Sequence, residues 1–165
     1  MASYEMPRLD RFTAGTLGEP GQRVFFIQAL ANGELVTLKC EKQQVGALAE
    51  HLAGLLVDLP TPSDAEVISA DVDFVEAPAA EWPVGRMGVA WDDGNDSMVL
   101  LCEQFVTEEE AEEGIEPESA RFRLSRAQVA AFIDVARDLV AAGRPPCDLC
   151  GLPIEPTGHP CPRLN

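Results

Sequence analysis

Arg23–Leu30 is a largely apolar run that reads as a strand, and Glu34–Cys40 alternates, with Leu35, Thr37 and Lys39 on one side and Val36, Leu38 and Cys40 on the other. A period of two marks a half-buried strand. Asn32-Gly33 stands between the runs, and both residue types accept positive φ, so the pair predicts a tight hairpin. Beyond Cys40 the period lengthens. Val45, Leu48, Ala49, Leu52, Leu55 and Leu56 form one face of a helix expected over Lys42–Asp58 and stopped by Pro60 and Pro62.

The second half of the chain repeats this order. Arg86–Trp91 and Ala120–Leu124 read as strands, Asp92–Asp96 as a turn, and the largely apolar Ser97–Val106 as a central strand. Ser125 is a good N-cap for a helix over Arg126–Ala142, which Gly143 closes. Its apolar residues Val129, Phe132, Ile133, Ala136, Leu139 and Val140 reproduce the stripe of the first helix at a constant shift of 84 residues. The same shift places Gln44 on Gln128, Leu38 on Phe122 and Cys40 on Leu124. An amphipathic helix following strands whose apolar face needs cover predicts an α+β layer. The expected fold is two β-hairpin-plus-helix repeats, about 23–58 and 86–142, forming one largely antiparallel sheet with the helices on one face.

Three segments fall outside that frame. Residues 1–22 read as a Gly- and Pro-rich lead-in. The alternation from Val67 to Val75 suggests a further strand at Asp71–Glu76. Glu108–Ser119 holds seven glutamates and no basic residue, and reads as a solvated loop inserted between strands of the second unit. Residues 1–144 then make one α+β domain, and Pro145-Pro146 sets off a tail, 145–165.

Charge narrows the function. Twelve Lys and Arg against 28 Asp and Glu give a net charge of −16, which repels nucleic acid and anionic membranes. No apolar run is long enough to span a bilayer, and the first residues lack the basic-then-apolar order of a secretory signal. A cytoplasmic protein is expected.

Two of the five cysteines, Cys40 and Cys102, lie in apolar runs and read as small core residues. The other three crowd into the tail as Cys147-x-x-Cys150-Gly151, then His159-Pro160-Cys161. Two thiolates on a tight glycine turn chelate one ion, and His159 with Cys161 completes a tetrahedral set. Three soft sulfurs and an imidazole suit zinc, and four protein ligands leave no open position. The expected site is a structural, zinc-knuckle-like clasp of Cys147, Cys150, His159 and Cys161. Ligation would offset the ordering cost of a proline-rich tail that has no core of its own.

Both ends of the chain carry a resemblance. Arg8-Leu9-Asp10-Arg11-Phe12-Thr13-Ala14-Gly15-Thr16-Leu17-Gly18 at the start resembles an uncharacterised family of actinobacteria and relatives. So does Cys147-Asp148-Leu149-Cys150-Gly151 with Gly158-His159-Pro160-Cys161-Pro162-Arg163-Leu164-Asn165 at the finish. The resemblance implies a domain of unknown function and supplies no catalytic residues.

No phosphate-binding loop, dinucleotide turn or nucleophile elbow occurs. His51 lies off the apolar stripe of its helix, with no nucleophile near it in sequence, so no catalytic residue is assigned. Arg8, Arg11, Arg23, Arg121 and Arg123 form a candidate anion site in an otherwise acidic chain. Two readings follow. One is a non-enzymatic zinc-binding adaptor with a protein partner. The other is an enzyme or nucleotide-binding module acting on a small phosphorylated ligand through those arginines.

Overall fold

Asn32 and Gly33 both take left-handed backbone, at φ 51° and 81°, and turn the chain between two antiparallel strands, as their residue types require. The structure, a computed structural model, describes residues 3–19, 21–59, 70–76, 79–143, 146–154 and 158–164. The elements are β1 (Tyr4–Met6), β2 (Arg11–Leu17), β3 (Val24–Ala31), β4 (Glu34–Cys40), α1 (Lys42–Asp58), β5 (Val84–Asp92), β6 (Ser97–Gln104), α2 (Glu108–Glu112), β7 (Ser119–Leu124) and α3 (Arg126–Ala141), with a single 3₁₀ turn at Asp93–Asn95.

The α+β class holds, but the strands divide between two sheets rather than forming one. The orders are β2-β3-β4 and β1-β7-β6-β5. The lead-in is itself structured, because it carries β1 and β2. The runs in it are short and punctuated by Gly and Pro, which hid their alternation. β6 is central, as its apolar composition predicted, although its burial alternates.

Each unit is a three-stranded antiparallel meander followed by a helix. The four residues α1 buries, Val45, Leu48, Ala49 and Leu52, stand 84 positions before the four α3 buries, Val129, Phe132, Ile133 and Ala136. In the closing strands Val36, Leu38 and Cys40 correspond in the same way to Ala120, Phe122 and Leu124, all buried. Ile27 pairs with Leu38, and Leu100 with Phe122, so the middle strands are offset by 73 residues instead. The longer β6–β7 connection, which contains the glutamates, accounts for the difference. That connection is not all loop: Thr107 accepts from the Glu110 amide, Glu110 reaches back to the Thr107 amide, and this reciprocal cap starts α2.

The units interlock at their leading ends. β1 runs parallel to β7, the last strand of the other unit. Residues 81–83, just before β5, run parallel to β4 through the bonds Glu81 N to Thr37 O at 2.8 Å and Lys39 N to Trp82 O at 3.2 Å. Tyr4 Oη donates to Glu81 across the two leading segments at 2.8 Å.

Phe12 of β2 sits where both sheets and α3 meet. Its ring centroid lies 4.9 Å from that of Phe132 and 5.8 Å from that of Phe122. On the opposite face of the three-stranded sheet, Asp71–Glu76 is extended but makes no strand ladder. Side chains hold it instead. Gln28 donates to Val75 O at 2.8 Å and accepts from Val75 N at 3.0 Å, and Thr13 donates to Val72 O at 2.7 Å. These bonds satisfy polar groups that the sheet would otherwise bury unpaired. The earlier part of that alternation, together with Pro60 and Pro62, lies outside the described residues.

Candidate metal centre

Cys147 begins a tight turn in which Gly151 N donates to Cys147 O at 2.8 Å and Cys147 N donates to Leu152 O at 2.8 Å. Gly151 adopts φ 74°, which a glycine takes without strain. This bend puts Cys147 and Cys150 on one side. The second arm reaches back from Gly158, also left-handed at φ 109°, and delivers His159 and Cys161. Pro146 and Pro153 form a lone antiparallel bridge at the base of the knuckle.

The donor atoms of Cys147, Cys150, His159 and Cys161 all lie within 4.8 Å of one another. Cys147 Sγ is 3.9 Å from Cys161 Sγ, and Cys150 Sγ is 3.3 Å from His159 Nε2. A tetrahedral zinc with bonds of about 2.3 Å to sulfur and about 2.0–2.1 Å to nitrogen sets edges of about 3.8 and 3.6 Å between such donors. Those two separations lie near the tetrahedral values, and the set could bind a metal ion.

Their electrostatics differ from those of the core thiols. The backbone amides of Cys150 and Leu149 favour the Cys147 thiolate and pull its pKa down to about 6. Loss of solvent pushes the Cys150 thiol up. Burial, with the nearby Glu41 charge, pushes Cys40 up to about 12, and burial chiefly raises Cys102, so those two stay protonated and inert. All five cysteines are free.

The five arginines do not share one pocket. Arg11 bonds Asp71 at 3.3 Å, Arg121 lies 3.9 Å from Glu5, and Arg123 pairs with Asp92. Arg23 covers the Phe25 ring at 5.4 Å. Arg23 lines one cavity, whereas Arg8 lines a second and Arg121 and Arg123 a third, the last two adjoining at Glu5, Met6 and Pro7. His51 is exposed beside an apolar cleft lined by Leu48, Met87 and Val89. No helix among the described residues is long and apolar enough to cross a membrane.

Comparison with curated proteins and with solved structures gives no match. A family model described as "Protein of unknown function (DUF3090)" matches residues 4–161, taking in the α+β units and all four donors of the tail, and the chain belongs to that family.

Proposed function

We propose that this protein is a non-enzymatic, zinc-binding adaptor whose metal clasp fixes the C-terminal tail as a docking surface for a protein partner. The observation that carries the reading is the convergence of three thiols and one imidazole within 4.8 Å. Zinc suits this mix of sulfur and nitrogen. A complete protein shell gives it a structural rather than a catalytic part. When bound, the ion supplies folding free energy to a segment without its own core. Thiolate ligands need a reducing compartment, which supports a cytoplasmic setting.

Three large apolar side chains of the tail face solvent: Leu149, Leu152 and Leu164, at 52, 49 and 73 % exposure. Apolar groups held outward on a rigid turn make a contact patch rather than a core. Arg8, Arg11, Arg23, Arg121 and Arg123 do not line one common pocket, and three of them, Arg11, Arg121 and Arg123, already face carboxylates, which favours an adaptor over an enzyme acting through all five. The shared burial pattern supports a division into one duplicated α+β domain, 1–144, and a clasp, 145–165.

Native mass measurement before and after chelation tests the metal, with loss of one zinc expected. Pull-down from the source cells with Leu149→Ser/Leu152→Ser protein tests the surface. This variant should keep its zinc and lose the partner that the parent chain retains. A mass unchanged by chelation overturns the clasp, and an undiminished partner overturns the docking surface.

A further inference from the structure

We propose that the cleft between β3, the β4–α1 junction and the end of α3 is a binding site for a small polyanion such as a phosphate ester or pyrophosphate. It rests on residues other than the metal ligands and stands whether or not the clasp binds zinc. The cleft encloses about 360 Å³, and Arg23, Lys39, Lys42 and Gly143 are among its lining residues.

The distribution of positive charge carries the argument. The chain has only two lysines, Lys39 and Lys42, and both line this one cavity. Elsewhere six arginines meet carboxylates: Arg11, Arg86, Arg121, Arg123, Arg126 and Arg137 each pair with an acidic side chain. Among the described residues, Arg8, Arg23, Lys39, Lys42 and Arg163 form no ion pair, although acids outnumber bases by 28 to 12, and three of these five line this cavity. Glu41 is the single acid among the described lining residues.

Two of the cations also converge. A side chain at Gly143 would come within 2.8 Å of Lys42 Nζ and 3.6 Å of Arg23 Nη2, so the absence of a Cβ there lets both heads approach one point. Like charges brought together without a carboxylate repel, and an anion between them removes that repulsion. An arginine fork beside two mobile ammonium groups matches the several oxygens of a phosphoryl group. The end of α3 offers a competing explanation, because the Val140 carbonyl lies 3.7 Å from the same point and a helix C-terminus attracts cations.

Lysine reactivity separates the two. The full chain is treated with a limiting acetylating reagent, with and without inorganic pyrophosphate, and modification is read by peptide mass. Pyrophosphate at about four times its dissociation constant should slow acetylation of Lys39 and Lys42 about fivefold and leave the terminal amine unaffected. Arg23→Met should abolish the protection, whereas Arg137→Met, removed from the cleft, should preserve it. Lysine reactivity indifferent to pyrophosphate assigns the cations to the carbonyls of α3 and overturns the site. Equal slowing at the terminal amine reduces the effect to charge screening and overturns it too. The protection measurement on the parent chain decides the matter even if Arg23→Met does not fold.

Discussion

Gln44 and Gln128 perform the same two tasks in opposite directions across the molecule. Each closes the first turn of its own helix, accepting from the Glu41 amide at 2.8 Å and the Ser125 amide at 3.0 Å. Each then donates to the backbone at the leading end of the other unit, Gln44 to Val84 O at 3.0 Å and Gln128 to Leu9 O, just before β2, at 2.8 Å. The exchange explains why glutamine stands at both positions. The carbonyl closes the cap, and only an amide adds a donor for the neighbouring backbone.

Gln128→Ala should therefore destabilise the fold by about 1–2 kcal/mol, the worth of a cap with one further partly buried bond. Gln128→Glu is the sharper test. A carboxylate keeps the acceptor for Ser125 but turns a negative oxygen towards Leu9 O, so stability should fall although the cap survives. A denaturant midpoint equal to that of the parent would show that the tie across the units contributes nothing.

Burial sets the order of effects along α3. Phe132 is fully buried against Phe12, so Phe132→Ala should cost about 3–5 kcal/mol. Leu139 shares the apolar stripe but is only half-buried, and Leu139→Ala should cost clearly less. Chemical denaturation of the two variants side by side checks the ranking.

Gly15 is kept small by Phe74. A Cβ at Gly15 would stand 2.2 Å from the Phe74 ring, which also stacks on Phe26 at 6.1 Å. Gly15→Ala should lift Asp71–Glu76 off the sheet and destabilise by about 1–3 kcal/mol. In a Phe74→Ala background the same change should be nearly neutral. That non-additivity is the signature of direct contact. Additive midpoint shifts would contradict it.

Acid sensitivity follows from the surface ion pairs. The Arg123 guanidinium, with help from Asn95, holds the Asp92 carboxyl below its ordinary range, and Arg137 does the same for Glu50. A carboxyl whose folded pKa is depressed contributes stability above the unfolded value, and that contribution is lost as pH falls through the folded one. Stability should thus decline below about pH 5. Asp92→Asn should be less stable than the parent at neutral pH and should lose less on acidification, as thermal melts from pH 7 to pH 3 would show.

The sequence made some of this legible and concealed the rest for physical reasons. The helix faces and the Asn32-Gly33 turn were readable because periodicity and φ preference are local. The four tail donors were readable because chelation needs short spacing. The division into two sheets was not. It depends on which edges β1 and residues 81–83 choose, and those contacts are 116 residues apart for Tyr4 and Ala120. The strand expected at Asp71–Glu76 has an alternating pattern, but Gln28 and Thr13 take up its backbone groups and leave no ladder to form. The cluster of Arg23 with both lysines draws on the residue before β3, on β4 and on α1 and meets the end of α3, so no linear motif announces it.

The clasp is tested most directly by zinc K-edge absorption on the purified full-length chain. A first shell of three sulfurs at about 2.3 Å and one nitrogen at about 2.0–2.1 Å is the predicted result, reduced to two sulfurs in Cys150→Ser. A shell of nitrogen and oxygen alone, or a chain that holds no zinc in reducing buffer, would contradict it.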